Sequence, residues 1–469
     1  MNYPRTLTGC LLGITMATSV AAQVAPPRVQ RAPASPPPGN VLLLVIDDIG
    51  PDMLGVYGTG TDLAPTPNMD ALARTGVLFR SAYSHPAGSV TMASIETGRI
   101  GEQTGVGFTI YNGPGDPPLP LSEVILPELL DLAMPGVYDH AMIGKWFLGA
   151  DPSVGDELGP NTMGYGHYEG VIGQLYLGGY DYFNYPWVTN GVVEERTGYV
   201  TTETVDAALG WIASASEPWL CHVAFNSAHT PYHKPPDALH TQNIGPSPPP
   251  HGDARPWYKA MVEALDTEIG RLLNSVDPVT LADTTVILLA DNGTPKGTVA
   301  PPFLPEHGKL TVYEGGVKVP LIVSGHAVTA PGTEAHGLVG TTDIYATVAE
   351  LAGIELAQLL PDLEHQSISI VPYFSNPAQR SLRELTFSEL FYPNGFRQPP
   401  TAQMYASRDV RYKLIRHKVG SGLVEEFYDL ANDPLELNDL FLGAPSSPEA
   451  LAAYNKLSAH IDAQLLLGP

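Results

Sequence analysis

The chain has 469 residues, with 24 Lys and Arg against 49 Asp and Glu, which gives a formal net charge of −25. This length is ample to bury a core, and the acidity disfavours nucleic-acid binding through a broad basic face. An anionic ligand would therefore need a local cationic site. The two cysteines, Cys10 and Cys221, are too few for a disulfide framework or a cysteine zinc cluster.

The first residues are typical of an export signal. Arg5 gives a positive start, an apolar segment runs from Leu11 to Ala21, and small residues precede Gln23. The apolar segment is too short and too polar to favour a membrane anchor. We therefore expect a signal peptide over 1–22 and a stiff Pro-rich linker over 23–39. The mature protein is expected in the periplasm or outside the cell, with no membrane partner.

Apolar runs of strand length alternate with helical patterns through the middle of the chain. The runs cover 40–46, 141–143, 219–225, 284–290 and 319–324, and the helical patterns cover 68–75, 202–214 and 257–273. Continuously apolar strands are typical of a parallel sheet that is covered on both faces. The alternation predicts an α/β domain over 40–380, with a doubly wound, mostly parallel sheet and a ligand site at the carboxyl ends of the strands.

The pattern changes after about residue 380. Shorter and more polar strands are predicted over 385–389, 404–407, 412–417 and 425–429, followed by a helix over 448–466. This part predicts a small C-terminal α+β subdomain over 381–469, built from an antiparallel sheet and one helix.

Two adjacent carboxylates, Asp47 and Asp48, directly follow the first predicted strand. Neighbouring carboxylates repel each other, so this position favours a compensating cation, although a solvated turn has the same residues. Asp291 and Asn292 follow the strand at 284–290, and a turn is again the alternative. Together these four side chains supply oxygen ligands of the kind that Ca²⁺ or Mg²⁺ prefers.

The order and spacing of several motifs resemble the sulfatase family of the alkaline phosphatase superfamily. The motifs are NVLLLVIDDIG at 40–50, PTPNMDALARTGVLFRSAY at 65–83, TGR at 97–99, IGKWFLG at 143–149, HTP at 229–231, ADNG at 290–293 and HGKLTVYEGGVKVP at 307–320. The resemblance implies a sulfuric ester hydrolase with a Ca²⁺ site, with Mg²⁺ or another divalent cation as alternatives. The implied metal ligands are Asp47, Asp48, Asp291 and Asn292.

The resemblance also implies that Lys145, His229 and Lys309 bind the sulfate group of an anionic small-molecule or saccharide ester. A compact ammonium suits a tetrahedral oxyanion. Lys145 and His229 follow predicted strands, which would place them in the same cleft as the carboxylates. The structural alternatives are two ordinary surface lysines and a hydrogen-bonded core histidine.

The chain departs from the family pattern where the nucleophile belongs. Sulfatases carry a Cys or Ser that is oxidised to formylglycine, nine residues before the Thr of Thr-Gly-Arg. Here that position is Gly88, which has no side chain to oxidise. The Pro, Ser and Arg that follow in the family are replaced at 90, 91 and 92, and Phe147 stands where the family usually has His.

Three interpretations follow from this departure. The protein hydrolyses a sulfate or phosphate ester, with Ser89 or Thr91 at a helix start, or a water activated by the metal, as nucleophile. Alternatively, it is catalytically inactive and binds a sulfated ligand. A third interpretation shifts the motif by one residue to Ser89, which requires a deletion in a segment that aligns without a gap. Ser89 and Thr91 are also typical N-cap residues. We expect the hydrolase, because the metal site and both lysines are kept.

Overall fold

A computed structural model describes residues 38–111, 116–150, 155–249, 251–396, 400–419, 422–443 and 447–468. The predicted signal peptide (1–22) and all but the last two residues of the predicted linker (23–39) lie outside this range. Among the described residues, no helix combines the length and the apolar character needed to cross a bilayer.

The described chain contains sixteen β-strands, and one large sheet at its centre holds ten of them. The strands are β1 (Asn40–Ile46), β2 (Gly76–Phe79), β3 (Ala82–Tyr83), β4 (Asp139–Trp146), β5 (His167–Ile172), β6 (Tyr185–Thr189), β7 (Val192–Arg196), β8 (Trp219–Ala224), β9 (Thr284–Ala290), β10 (Leu321–Gly325), β11 (Thr333–Ala335), β12 (Val339–Gly340), β13 (Thr386–Tyr392), β14 (Ala402–Arg408), β15 (Tyr412–Val419) and β16 (Gly422–Asp429). Ten of the strands in the described part pair in the order β11-β2-β10-β9-β1-β8-β4-β5-β6-β7. The neighbours β9, β1, β8, β4 and β5 are parallel.

Helices alternate with these strands. They are α1 (Pro67–Arg74), α2 (Gly88–Thr97), α3 (Gly101–Thr104), α4 (Leu126–Ala133), α5 (Gly159–Thr162), α6 (Val200–Ile212), α7 (Arg255–Ser275), α8 (Pro278–Ala282), α9 (Glu314–Val317), α10 (Asp343–Leu351), α11 (Leu356–Leu359), α12 (Pro372–Ser375) and α13 (Pro448–Gln464). Every residue of β1, β8 and β9 is buried. These continuously apolar strands therefore lie inside a covered sheet, which confirms the prediction of a doubly wound, mostly parallel α/β fold.

The strand predicted at 319–324 corresponds to β10, and its direction differs from that of its neighbour. β10 pairs antiparallel with β9, and β6 pairs antiparallel with β5. A parallel pairing needs a crossover, usually through a long helix. The chain between β9 and β10 contains only a short 3₁₀ helix and the four residues of α9, and it runs along the site described below.

The C-terminal part is a four-stranded antiparallel sheet in the order β13-β14-β15-β16. α13 packs on β14 and β15, and Tyr405, Leu414, Phe427 and Leu457 form part of its core. The predicted antiparallel sheet with one helix is thus confirmed, and its boundary at residue 381 stays a prediction.

Four buried charged residues connect the C-terminal sheet to α9. We call them the Glu314 cluster: Glu314, Arg408, Lys413 and Glu436. Lys413 Nζ lies 3.2 Å from Glu314 Oε1 and 2.7 Å from Glu436 Oε1, and Arg408 lies 3.2 Å from Glu314 Oε2. The cluster balances two carboxylates against two cations in a site where an unpaired charge would be costly.

Candidate active site

The carboxyl ends of the parallel strands bring the predicted polar residues together. Asp47 and Asp48 follow β1, Asp291 follows β9, and Lys145 lies near the end of β4. These side chains border one cavity of about 250 Å³. The cavity is lined by Asp47, Asp48, Gly88, Ser89, Phe108, Thr109, Tyr111, Lys145, Phe147, Gln174, Tyr176, His229, Thr230, Tyr232, Asp291, Pro295, Lys309 and Leu310.

The backbone of Asp48 is held in an unusual conformation. Its φ is 62°, in the left-handed region that side-chain-bearing residues rarely adopt. Two hydrogen bonds hold it there: the Asp48 N–H donates to Asp291 Oδ1 at 3.0 Å, and the Tyr258 hydroxyl donates to the Asp48 carbonyl at 2.7 Å. Such strain persists where the surroundings over-determine it, often at functional sites. Here it fixes the Asp48 carboxylate beside Asp291.

Both predicted lysines are paired with carboxylates, although Lys309 is less deeply buried than Lys145, with 15% of its side chain exposed. Lys145 is 2% exposed, and its Nζ lies 2.5 Å from Asp47 Oδ2. Lys309 donates to Asp48 Oδ1, which also accepts a hydrogen bond from Asn292 Nδ2 at 2.7 Å. These are not ordinary surface lysines, because each ammonium is held at the wall of the cavity.

The carboxylates differ in their acidity. Burial alone would raise the pKa of Asp48, but Lys309 and His229 outweigh it and lower this pKa to about 2. Burial, followed by the charges of Asp47 and Asp48, raises the pKa of Asp291 well above its usual value. Three carboxylates thus lie beside two lysines, and a further cation would favour the ionised form of Asp291.

The donor set fits a hard divalent cation. Within the described part of the chain, Asp47 Oδ1 and Asn292 Oδ1 are buried and have no hydrogen-bond partner. Asp47, Asp48 and His229 each offer one ligand atom, all within 4.8 Å of one another. Buried oxygens without donors and an excess of carboxylates over lysines are features that Ca²⁺ or Mg²⁺ would satisfy. Asn292 does not line the cavity, but its side-chain amide donates a hydrogen bond to Asp48.

His229 is oriented by its own loop. Its Nδ1 lies 2.8 Å from the Thr230 carbonyl oxygen, and because a carbonyl only accepts, Nδ1 carries the proton. Nε2 then faces Asp48 Oδ2 at 3.9 Å, and the ring stacks on Tyr176 with centroids 5.8 Å apart. Burial and the charge of Lys309 lower the pKa of His229 below its usual value. The imidazole therefore favours its neutral form, with a free lone pair at Nε2.

The two predicted hydroxyls have different places. The N-cap of α2 is Ala87, so the alternative that Ser89 or Thr91 caps this helix is wrong. Ser89 lines the cavity, but its hydroxyl donates to the Phe147 carbonyl at 2.8 Å and accepts from the Ile110 N–H at 3.0 Å. Thr91 does not line the cavity, and its hydroxyl accepts the N–H of His85 at 3.0 Å.

Several cavity residues have no signal in the sequence motifs. Tyr176, Tyr232 and Tyr111 line the wall, and Tyr111 precedes a stretch outside the described residues. Among the aromatic residues of the long loop region 151–193, only Tyr176 borders this cavity in the described part. Loop residues of this kind show no periodic pattern, so only the tertiary structure identifies them. His222, inside β8, is bonded to Glu96 Oε1 at 2.8 Å and does not line the cavity.

Two family profiles match overlapping parts of the chain. The sulfatase family profile matches residues 39–354, and the C-terminal profile of N-sulphoglucosamine sulphohydrolase matches 306–463. The N-acetylgalactosamine-6-sulfatase of Homo sapiens is 31% identical over 362 residues, which cover 69% of this chain and 64% of that relative. Arylsulfatase A of Bos taurus is 29% identical over 498 residues, which cover 93% of this chain and 90% of that relative.

Solved structures share the fold. The structure of BT4656 in complex with its substrate D-glucosamine-2-N,6-O-disulfate aligns with a TM-score of 0.72 at 20% identity. The alignment covers 92% of this chain and 98% of that chain. The fold, the order of the strand-end residues and the profile that spans most of the described chain agree with one another, and the chain belongs to the sulfatase family.

Proposed function

We propose that the protein is a hydrolase that acts on the sulfate ester of a saccharide in this cavity. The observation that carries the proposal is the convergence of three carboxylates, two ammonium groups and one imidazole on a single wall. The names of the relatives support the ester class: one is an N-acetylgalactosamine-6-sulfatase, and the solved structure of another protein holds a disulfated glucosamine. Export through the expected signal peptide would place the reaction in the periplasm or outside the cell.

The proposed cation is Ca²⁺, held by Asp47, Asp48, Asp291 and Asn292, with Mg²⁺ or another divalent ion as alternatives. When bound, such an ion withdraws charge from an ester oxygen and offsets the repulsion among the carboxylates. The ammonium groups of Lys145 and Lys309 would bind the remaining anionic oxygens, because hydrogen bonds between ionised groups are strong.

The nucleophile in this proposal is water. Gly88 offers no side chain, and the Ser89 hydroxyl already donates its proton to the Phe147 carbonyl. The neutral His229, with its lone pair at Nε2, can accept the proton that the attacking water loses. The water oxygen then bonds to sulfur while the bond from sulfur to the saccharide oxygen breaks, and His229 passes its proton to that leaving oxygen. The alcohol and inorganic sulfate are the products.

A second candidate function is reversible binding of a sulfated saccharide without turnover. It is favoured by the filled surroundings of Gly88, where no reactive side chain is present, and by the engaged hydroxyl of Ser89. Binding needs only the cationic wall, whereas hydrolysis needs a nucleophile as well.

Turnover and binding measurements separate the two candidates. Sulfate and phosphate release from N-acetylgalactosamine 6-sulfate, an aryl sulfate, a phosphate monoester and a phosphodiester would be followed by ion chromatography, with calorimetric binding in parallel. Sulfate release supports the hydrolase, phosphate release alone the phosphoester alternative, and binding without release the binding protein. Lys309→Met should abolish both signals, whereas Lys456→Met, on an exposed lysine paired with Glu384, should change neither. A folded, metal-loaded protein that neither binds nor hydrolyses these compounds contradicts both candidates.

Metal analysis tests the cation separately. We expect close to one equivalent of Ca²⁺ in the wild-type protein after supplementation, and much less in Asp47→Ala and Asp291→Ala. Asp237→Ala, at a largely exposed carboxylate, is the matched control and should retain the ion. A wild-type protein that stays metal-free under these conditions would show that the carboxylate cluster is not a metal site.

A further inference from the structure

The space in front of residue 88 is already filled. Gly88 is the first residue of α2, and a Cβ atom added to it would lie 2.4 Å from Asp291 Oδ2 and 2.7 Å from the Phe147 ring. Both distances are shorter than carbon atoms of side chains tolerate. Asp291 is not free to turn aside, because its other oxygen accepts the Asp48 N–H at 3.0 Å. Phe147 and Asp291 therefore occupy the place of a side chain at position 88.

The same phenylalanine ring contacts a cation of the cavity. Lys145 Nζ lies 4.6 Å from the centroid of the Phe147 ring, and it lies 2.5 Å from Asp47 Oδ2. An ammonium group over an aromatic face is attracted by the negative face of the ring. Phe147 is 3% exposed, so this contact is made away from bulk water, where it is strongest.

A hydroxyl group holds the backbone from which the Phe147 ring projects. Phe147 directly follows β4, and its carbonyl oxygen accepts the Ser89 hydroxyl at 2.8 Å. The same hydroxyl accepts the Ile110 N–H at 3.0 Å. Ser89 thus connects α2, the end of β4 and the loop at Ile110 through one buried group.

We propose that Phe147 is a positioning residue of the anion site, with Ser89 as its clamp. The ring fills the place of a side chain at residue 88 and holds the Lys145 ammonium at the cavity wall. The inference rests on the proposed function, because it assumes that Lys145 binds the anionic group of the ester. An ester held in this site forms no covalent bond to residue 88, because Gly88 has no side chain and the ring fills the space in front of it.

Binding of N-acetylgalactosamine 6-sulfate, measured by calorimetry in the presence of Ca²⁺, tests the contact with Lys145. Phe147→Leu keeps an apolar side chain but removes the aromatic face, and we expect about 3- to 30-fold weaker binding. Phe147→Tyr should recover most of the affinity. Phe374→Leu changes an equally buried phenylalanine on α12 and should leave the affinity unchanged. Wild-type affinity in Phe147→Leu would overturn this part of the proposal.

A double-mutant cycle tests the filled space without any ligand. Gly88→Ala would be made in the wild-type protein and in Phe147→Ala, and Tm would be compared by calorimetry. We expect Gly88→Ala to lower Tm by at least about 2 °C more in the wild-type protein than in Phe147→Ala. The reason is that the added methyl group meets the Phe147 ring only in the wild-type background. Equal losses would overturn the pairing. One outcome separates the two proposals: a wild-type protein that binds no ester but shows this coupling. That outcome would refute the proposed function and the role of Phe147 in anion binding. Only the contact between residues 88 and 147 would then remain supported.

Discussion

At the scale of single residues, Lys145 and Lys309 show how a strongly acidic chain presents cations to an anionic ligand. Lys145 is buried and Lys309 is partly buried, and each ammonium group is bonded to a carboxylate that follows β1. Asp48 keeps the Lys309 ammonium charged, and Lys309 in turn opposes the rise in pKa that burial alone would impose on Asp48. The local arrangement, and not the net charge of −25, therefore decides which ligand the cavity accepts.

Ser89 belongs to the same scale, and its removal should affect stability more than chemistry. In Ser89→Ala the buried Ile110 N–H loses its acceptor and the Phe147 carbonyl loses its donor. We expect a loss of about 1–3 kcal/mol in the free energy of unfolding, measured by urea denaturation. The exposed Ser214→Ala is the control and should stay within about 0.5 kcal/mol of wild type.

The turnover of Ser89→Ala then separates the two proposed nucleophiles. If water attacks the ester, the variant keeps measurable kcat when assayed below its unfolding temperature. A variant that is folded, binds ester as tightly as wild type and has lost all turnover would identify Ser89 as the nucleophile.

At the scale of elements, the Glu314 cluster joins α9 to the C-terminal sheet. α9 follows Lys309 by a few residues, so the cluster also anchors the segment that carries this lysine. Burial raises the pKa of Glu436 to about 7, an effect that Glu314 adds to and Lys413 opposes. In contrast, Arg408 and Lys413 outweigh burial at Glu314 and lower its pKa to about 2.

These shifts give the cluster two separate pH windows. Because Glu436 binds its proton more tightly when folded, its contribution to stability falls as pH rises from about 4.5 to 7. Glu314 loses its contribution only as pH falls from about 4.5 towards 2. Glu436→Gln, which imitates the protonated form, should therefore become more stable relative to wild type between pH 5 and 8, by up to about 3 kcal/mol.

Urea denaturation at several pH values measures this difference. Glu384→Gln, at an exposed glutamate, serves as the control and should show no such pH-dependent gain. A constant difference between Glu436→Gln and wild type across this range would contradict the raised pKa of Glu436.

The elements that the sequence predicts best are those with a strong local pattern. The runs at 40–46 and 284–290 have the same bounds as β1 and β9, because a strand buried on both faces is apolar at most of its positions. Because strands of this kind indicate a parallel sheet, whose carboxyl ends share one edge, the carboxylates that follow them could be placed together. The direction of β10 and the bonds of Ser89 were not predictable, since both depend on contacts between distant segments: β10 with β9, and α2 with the end of β4.

At the scale of the whole molecule, a net charge of −25 opposes the approach of any anionic saccharide. The Debye length shrinks from about 30 Å at 0.01 M salt to about 8 Å at 0.15 M. The distant acidic surface is screened over this range, whereas contacts of a few ångströms inside the cavity are screened much less. We expect the association rate constant for a sulfated saccharide to rise with salt over this interval.

Stopped-flow fluorescence would measure that rate. Sucrose solutions of matched viscosity, without added salt, are the control and should not accelerate association. A rate that falls steadily as salt is added would show that the lysines of the cavity, and not the acidic surface, dominate the approach of the ligand.

The outer strand β7 has a consequence for how the protein behaves in storage. Within the described residues β7 pairs only with β6, and Val192 and Val193 are 62% and 48% exposed. Such an edge is a template for a strand of another copy, and the exposed Glu194 and Glu195 would repel an identical edge. Near pH 4.8, the isoelectric point, the net charge that keeps copies of the protein apart is lost. We expect light scattering to rise within hours at this pH. The double variant Glu194→Gln, Glu195→Gln should show the same rise at pH 7.5. The stability of the protein against aggregation in storage would then depend on two surface carboxylates that do not line the cavity.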